Sequence, residues 1–170
     1  MKDNKLDILV EHLLNDDKPS IFFEEIQASL KNTPLDILLK LKNIEQNPEF
    51  HPKGNIWNHT MQVIDVAAKV KEFTTDKEIF MLGALFHDLG KIPTTRRNKK
   101  GRLVSYNHDT EGQKLTEDIL NYYNVESDKK EKIVNLVRYH MHHIYILKDL
   151  PFSDMEGLKK NVNLKDIILL

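Results

Sequence analysis

The strongest chemical signal in the sequence is a histidine beside an aspartate, His87 and Asp88, followed by Gly90 and Lys91. Imidazole nitrogens and carboxylate oxygens are both good ligands for divalent metals. Neighbouring residues on a helix point about 100° apart, so both side chains reach one ion only where a helix ends or is irregular. Gly90 is expected to provide that end. Taken alone, a His-Asp pair is more often a simple surface hydrogen bond than a metal site.

Further histidines lie on two other predicted helices, where the helical period points them inward. His59 shares a core-facing stripe of a helix over residues 55–73 with four apolar residues, Val63, Val66, Ala67 and Val70. His140 lies on a helix over residues 127–146, in line with Ile133, Leu136, Val137 and Ile144. An inward histidine is usually a hydrogen-bonded core residue. Two of them beside a His-Asp pair predict a shared metal site.

Two more histidines extend this group. His108 precedes a helix predicted to begin at Thr110, and His143 follows His140 closely enough to share the site. The predicted metal ligands are His59, His87, Asp88, His108 and His140.

The elements that must position these residues are helical almost throughout, because apolar residues recur at helical spacing and no stretch alternates as a strand does. We predict an all-α fold. Helices are expected over residues 6–14, 21–30, 34–41, 55–73, 75–90, 110–123 and 127–146, with a polar loop over 93–107. The predicted N-terminal caps are Thr75, Thr110, Ser127 and Ser153.

Length and composition fit one domain with a small extension. The turn-forming segment His51–Gly54 predicts a boundary between an N-terminal helical extension, residues 1–50, and the main domain, residues 51–170. The sequence contains no cysteine and no apolar run of 18 residues, so we expect a cytoplasmic chain without a membrane span.

A formal net charge of −1 argues against wholesale electrostatic binding of nucleic acid. A local basic run nevertheless follows the His-Asp pair, and it is either a solvated loop or a rim that steers phosphate. Its members are Arg96, Arg97, Lys99, Lys100 and Arg102.

These motifs resemble the HD superfamily of metal-dependent phosphohydrolases, and within it the C-terminal body of bacterial CCA-adding tRNA nucleotidyltransferases. The resemblance covers roughly residues 15–145. It is carried by five segments: Pro19–Phe23, Glu49–Thr60, Ala84–Lys91 with Thr94 and Thr95, Tyr106–Gly112, and His140.

The resemblance implies an HD-domain helical bundle that binds one or two divalent cations. His59, His87 and Asp88 would hold one ion, and His108 and His140 a second, with Asp88 bridging them. Such ions polarise phosphoryl oxygens and activate water. Asp88 and Lys91 are then the catalytic candidates, while Lys91, Arg96 and Arg97 would bind substrate phosphate. Mn, Fe, Co, Ni, Zn and Mg all suit these ligands.

The sequence departs from this family in two ways. It lacks the nucleotidyltransferase head, so CCA addition by these residues alone is not expected. HD domains of this kind also add an aspartate from a late helix, which is expected either beyond Leu170, from a partner, or from Asp149, Asp154 or Asp166. We therefore expect the 170-residue chain to bind metal weakly.

Three functions fit the sequence. The first is a phosphohydrolase acting on a nucleotide, a 2′,3′-cyclic phosphate or an RNA terminus. The second is a non-catalytic RNA-binding or scaffold module, with tRNA as its partner. The third is a stress-nucleotide pyrophosphohydrolase. Metal content separates the second from the others, and a substrate panel separates the first from the third.

Overall fold

The computed structural model describes residues 4–46 and 54–170. Twelve α-helices and one two-stranded hairpin occur in these ranges, which confirms the all-α prediction. The predicted turn at His51, Pro52 and Lys53, and the signature residues just before it, lie outside the described residues. The division of the chain into residues 1–50 and 51–170 therefore stays a prediction.

The twelve helices follow one another in the order of the chain. They are α1 (Lys5–Asn15), α2 (Ser20–Glu25), α3 (Gln27–Leu30), α4 (Ile37–Lys40), α5 (Ile56–Val70), α6 (Lys77–Phe86), α7 (Lys91–Thr94), α8 (His108–Tyr122), α9 (Ser127–Tyr139), α10 (His142–Leu147), α11 (Met155–Asn161) and α12 (Leu164–Leu169). Short 3-10 turns span Pro34–Asp36, Leu41–Asn43 and Lys71–Phe73. The hairpin pairs β1 (Arg96–Arg97) with β2 (Leu103–Val104).

Helix α6 is the central element of the core. Every residue from Ile79 to Phe86 is buried, and α1, α5 and α9 all pack against this helix. A helix that is apolar on all sides must run through the interior. Because α6 ends at Phe86, the next two residues, His87 and Asp88, emerge in the middle of the molecule and not on its surface.

The N-terminal helices contribute to the same core. Leu9 of α1 and Phe23 of α2 are fully buried, and the indole N–H of Trp57 in α5 donates to Glu24 Oε1 at 2.5 Å.

The two continuous helices predicted over residues 21–30 and 34–41 are each broken into shorter pieces.

Three predicted helix caps are wrong by one residue. The capping residues are Asp76 instead of Thr75, Glu126 instead of Ser127, and Asp154 instead of Ser153. In each case a carboxylate accepts main-chain N–H groups of the first turn, where it also complements the helix dipole. The hydroxyl of Thr75 is engaged elsewhere, with Asp166.

The loop predicted over residues 93–107 is more ordered than expected. It contains the end of α7 and the β1–β2 hairpin, whose turn is closed by main-chain N–H groups donating to the Asn98 side chain. Gly101 in this turn has φ +74°, a conformation that favours glycine.

The apolar C-terminal residues pack on the body of the protein. Ile167 is buried and Leu169 and Leu170 lie against the core, while Ile168 is exposed. None of the described helices combines the length and apolar character needed to cross a membrane.

Candidate metal centre

His87 and Asp88 lie in the turn between α6 and α7. Both are buried, and the His87 Nδ1–H donates to Ala84 O at 2.8 Å. That bond orients the ring so that its other nitrogen, Nε2, lies 3.1 Å from Asp88 Oδ2. The simple surface hydrogen bond allowed by the sequence is thus excluded by burial.

Gly90 allows α8 to approach this turn closely. Its φ is −65°, so it does not adopt the left-handed conformation of a helix C-cap, and the predicted reason for a glycine here is wrong. A Cβ at this position would lie 1.8 Å from His108 O and 2.4 Å from Gly112 N. The absence of a side chain is what lets His108 come near Asp88.

His59 lies at the edge of the core and not on its buried face. The side chain is 26% exposed, and Val66 of the predicted stripe is 57% exposed. The buried face of α5 is formed instead by Ile56, Trp57, Thr60, Met61, Ile64 and Ala67. His59 nevertheless reaches the cluster, with Nε2 3.5 Å from Asp88 Oδ2.

His140 follows the last residue of α9, because the helix predicted to continue to Ile146 breaks there. The ring N–H groups of His140 and His143 donate to Val137 O and His140 O. A continuous helix would use both carbonyls for its own main-chain bonds. His143 is not in either candidate metal-binding group, and buried His142 packs against Tyr139.

His108 is in the first turn of α8, since this helix begins two residues earlier than predicted. Its N-cap is Asn107, in the left-handed conformation at φ 60°, which asparagine tolerates better than most residues. The His108 Nδ1–H donates to Ser105 O at 2.8 Å. The ring is thereby turned toward Asp88 and His140.

The carboxylate of Asp88 is the centre of the cluster, and each of its oxygens faces a different pair of histidines. Oδ2 lies 3.1 Å from His87 Nε2 and 3.5 Å from His59 Nε2. Oδ1 lies 3.7 Å from His108 Nε2 and 3.9 Å from His140 Nε2. The structure brings together all five predicted ligands in two groups that share Asp88.

The three buried histidines of the cluster are oriented in the same way. In His87, His108 and His140 the Nδ1–H donates to a backbone carbonyl, and in the neutral ring Nε2 then carries the lone pair. Fixing the tautomer through a carbonyl is the usual arrangement for metal-ligating histidine. The sequence contained no signal for the three carbonyls, which come from Ala84, Ser105 and Val137.

The local charges favour ligands in their metal-binding forms. Burial raises the pKa of Asp88, but His87 and Lys91 outweigh it and hold this pKa well below its usual range. Burial lowers the pKa of His108 and, more strongly, that of His140, which His87 and His108 lower further. An ionised carboxylate and neutral imidazoles are the species that bind divalent cations.

The predicted phosphate-binding cations lie at different depths. Lys91 Nζ donates to Asp88 Oδ2 at 2.8 Å and is largely buried. Arg96 and Arg97 are exposed on β1, and Arg97 pairs with Glu45 at 3.0 Å. Glu45 forms a β-bridge with Asn55, the N-cap of α5. The hairpin is thus tied to the start of the helix that carries His59.

No second carboxylate joins the cluster from among the described residues. Asp166 accepts hydrogen bonds from Thr75, and Asp154 caps α11 and accepts from the Tyr139 hydroxyl at 3.2 Å. Asp149 belongs to neither candidate group. None of the three aspartates predicted as substitutes therefore supplies a ligand here.

The chain belongs to the HD domain family, whose sequence model matches residues 56–168. This family consists of metal-dependent hydrolases. The matched region begins with α5 and ends within α12, so it contains all five residues of the cluster. The nitrogen and carboxylate donor set fits a divalent cation, in agreement with the family.

The chain is also similar to proteins named "Multifunctional CCA protein". The one from Actinobacillus pleuropneumoniae serotype 5b is 28% identical over 130 residues, 74% of this chain and 30% of the relative. That from Cupriavidus metallidurans is 33% identical over 125 residues, 72% of this chain and 28% of the relative. The chain thus spans less than a third of the length of these curated relatives.

Acidification is expected to destabilise the metal-free protein between pH 7 and pH 5. Because the folded state lowers the pKa values of His108 and His140, the unfolded chain binds these protons at higher pH. The free energy of unfolding therefore decreases as the pH is lowered, by at most about 1.4 kcal/mol per pH unit for each histidine. Asp88 does not contribute in this window, because stability from a lowered carboxyl pKa is lost only below about pH 4.

The measurement is urea unfolding at several pH values after treatment with a chelator. The double variant His108→Gln/His140→Gln should flatten the slope. Equal slopes in the wild type and the double variant would contradict the assignment.

Proposed function

We propose that this chain is a phosphohydrolase that cleaves a phosphate ester of a nucleotide, a 2′,3′-cyclic phosphate or an RNA terminus. The observation that carries the proposal is the buried Asp88 carboxylate, with one oxygen facing His59 and His87 and the other facing His108 and His140. A carboxylate shared in this way suits two cations, and paired cations are widespread in phosphoryl-transfer sites.

The five side chains would hold one or two divalent ions. A bound ion would polarise a phosphoryl oxygen and lower the pKa of a water molecule. The protein residues contribute orientation: the three carbonyl-anchored histidines present Nε2 inward without reorganisation, and Asp88 is kept ionised by its neighbours. A preorganised polar site of this kind stabilises charge more effectively than water does.

Lys91 is the candidate for direct contact with substrate phosphate. Its ammonium is 2.8 Å from Asp88, so an incoming phosphate would find a cation at the cluster itself. Arg96 and Arg97 are proposed to form an outer rim, since the hairpin that carries them is tied to the start of α5. Exposed cations of this type act mainly on association rate and on its salt dependence.

The similarity to multifunctional CCA proteins favours an RNA-related substrate and leads to a second candidate, a non-catalytic tRNA-binding module. The five convergent side chains support the hydrolase, because a module without catalysis has no need for four histidines around one carboxylate. A cytoplasmic location is part of the proposal, since the cysteine-free sequence suits a reducing compartment.

The proposal is tested by hydrolysis assays with Mn²⁺, Co²⁺, Ni²⁺, Zn²⁺ and Mg²⁺ in turn. The substrates are bis(p-nitrophenyl) phosphate, p-nitrophenyl phosphate, a 2′,3′-cyclic nucleotide and guanosine tetraphosphate. Metal-dependent turnover of an ester or cyclic phosphate supports the proposal. Metal binding with turnover of guanosine tetraphosphate alone would favour a pyrophosphohydrolase, and tRNA binding with no metal binding would favour the module.

Replacement of His108 tests the number of ions. We expect His108→Ala to reduce the Mn²⁺ equivalents bound from about two to about one, because His59, His87 and Asp88 retain the other group. Isothermal titration at millimolar Mn²⁺ measures this even if binding is weak. His12→Ala is the control. One equivalent in both wild type and variant would contradict a second ion and leave His108 as a substrate contact.

A further inference from the structure

A cavity of about 510 Å³ lies directly beside the candidate metal centre. It is formed by the segment from β2 to the start of α8, the end of α9, α10 and the residues after it. His108 belongs both to this cavity and to the metal-binding group with Asp88 and His140. A ligand whose phosphate reached the cluster could therefore place its remaining part in this cavity. Its volume is in the range of small-molecule sites.

The charged groups of the cavity cancel each other. Among the described residues that line it, Arg138 is the only permanent cation and Asp109 the only carboxylate, and they form a direct hydrogen-bonded ion pair. Both are largely buried. No uncompensated positive charge is available among these described lining residues to bind a second phosphate. A neutral group with hydrogen-bonding edges could accept from Arg138 and donate to Asp109.

Aromatic rings form much of the cavity wall. The Tyr145 and Phe152 rings, which both line the cavity, are in edge contact with their centroids 5.8 Å apart. Phe152 and Tyr106 are 67% and 61% exposed, so much of their ring surface is open to a ligand. Exposed aromatic rings beside a polar pair are the usual means of binding planar heterocycles by stacking.

The chain geometry separates the two parts of the site. Asn107, at φ 60°, lies between Tyr106 of the cavity and His108 of the metal-binding group. Because His108 is fixed in the first turn of α8, the backbone of Tyr106, two residues earlier, is held close to it. The phosphate-binding and ring-binding positions would therefore be held at a fixed spacing.

We infer that this cavity binds the heterocyclic base of the substrate, so that the protein acts on nucleotides or nucleotide ends in preference to sugar phosphates. The base stacks against Tyr106 and Phe152, and the Arg138–Asp109 pair bonds to its edge. This inference rests on the proposed function for the phosphate step, but base binding itself needs neither metal nor turnover. The base can belong to a free nucleotide or to the last residue of an RNA.

The binding test uses ligands without a phosphate ester. Adenosine and uridine are titrated into metal-free protein and followed by NMR. Tyr106→Ala and Phe152→Ala should each weaken binding about 10-fold, the scale of one lost stacking contact, while Tyr106→Phe should bind as the wild type does. The controls are Tyr122→Ala and Phe73→Ala, equally exposed aromatic residues outside the cavity.

The source of the base is tested with 5′-AMP and a five-residue oligoribonucleotide under the same conditions. The inference is supported if both cavity substitutions weaken the binding of 5′-AMP or of the oligoribonucleotide. The ligand that binds more tightly then shows whether the base belongs to a free nucleotide or to an RNA end. Absence of nucleoside binding at millimolar concentration, or equal affinities in the cavity variants and the controls, would overturn it.

A hydrolysis assay distinguishes failure of this inference from failure of the proposed function. With Mn²⁺ present, kcat/KM for a nucleotide should exceed that for ribose 5-phosphate, and the cavity substitutions should remove the preference. Equal rates on both substrates would overturn the inference while leaving the hydrolase intact. Nucleoside binding that depends on Tyr106 and Phe152, without any hydrolysis, would overturn the hydrolase and leave the base site standing.

Discussion

Asp88→Ala is expected to eliminate both metal binding and phosphohydrolase activity while leaving the helical content nearly unchanged. Asp88 is the carboxylate shared by both candidate metal-binding groups, so its loss removes a ligand from each. Loss of residues that merely support metal ligands already costs 10–100-fold in affinity or activity, so the loss here should be larger. The measurement is metal titration and turnover beside far-ultraviolet circular dichroism.

Asp88→Asn provides a second variant of nearly unchanged shape. It keeps the packing of the α6–α7 turn but removes the negative charge that two cations would share, and we expect the same loss of metal. Asp128→Asn, at an exposed aspartate of α9, is the matched control. Full activity in either Asp88 variant would mean that the site has been assigned wrongly.

Gly90→Ala is expected to give the second largest effect, although alanine adds only one methyl group. The new Cβ would lie 1.8 Å from His108 O, a backbone atom that moves only if the start of α8 moves. Overpacking of this kind costs about 1–3 kcal/mol, which in a protein of this size lowers Tm by several degrees. Displacement of His108 should also weaken metal binding.

Gly83→Ala in α6 is the matched control for this change. Its Cβ would lie 3.1 Å from Leu136 Cδ1 and 3.2 Å from Leu136 Cβ, so a much smaller shift is needed than at Gly90. Alanine is also favoured over glycine within a helix. Metal binding should be retained in Gly83→Ala and weakened in Gly90→Ala. Wild-type Tm and metal affinity in Gly90→Ala would contradict the close approach of α8 to the turn.

The sequence was sufficient to predict the helical fold and which residues meet, because both depend on regular periodicity. His87 and His140 follow apolar residues at helical spacing, and both lie beside the buried helices α6 and α9. For His59 the periodicity predicted the helix correctly but placed the side chain on the buried face, whereas it lies at the edge of the core. His108 was included for its position just before a predicted helix, which is not a periodic signal, and the family resemblance agreed with it. The structure brings all of them to Asp88.

What the sequence could not predict depends on contacts between distant segments. The sequence predicted that Gly90 ends a helix, but the structure requires glycine there because the α8 backbone leaves no room for a side chain. At the break after Tyr139, two imidazole N–H groups donate to main-chain carbonyls, and helical periodicity in the sequence does not indicate such bonds. The Arg138–Asp109 pair joins residues 29 apart in the sequence, and neither had been singled out as a site residue.

The shared position of Asp88 between two ions is tested most directly by a crystal structure of the protein soaked in millimolar Mn²⁺, with an anomalous difference map. We expect two peaks about 3.5–4 Å apart. One should be bound by His59, His87 and Asp88, and the other by Asp88, His108 and His140. A map with no peak within bonding distance of Asp88, or with Mn²⁺ bound only at another group of side chains, would contradict it.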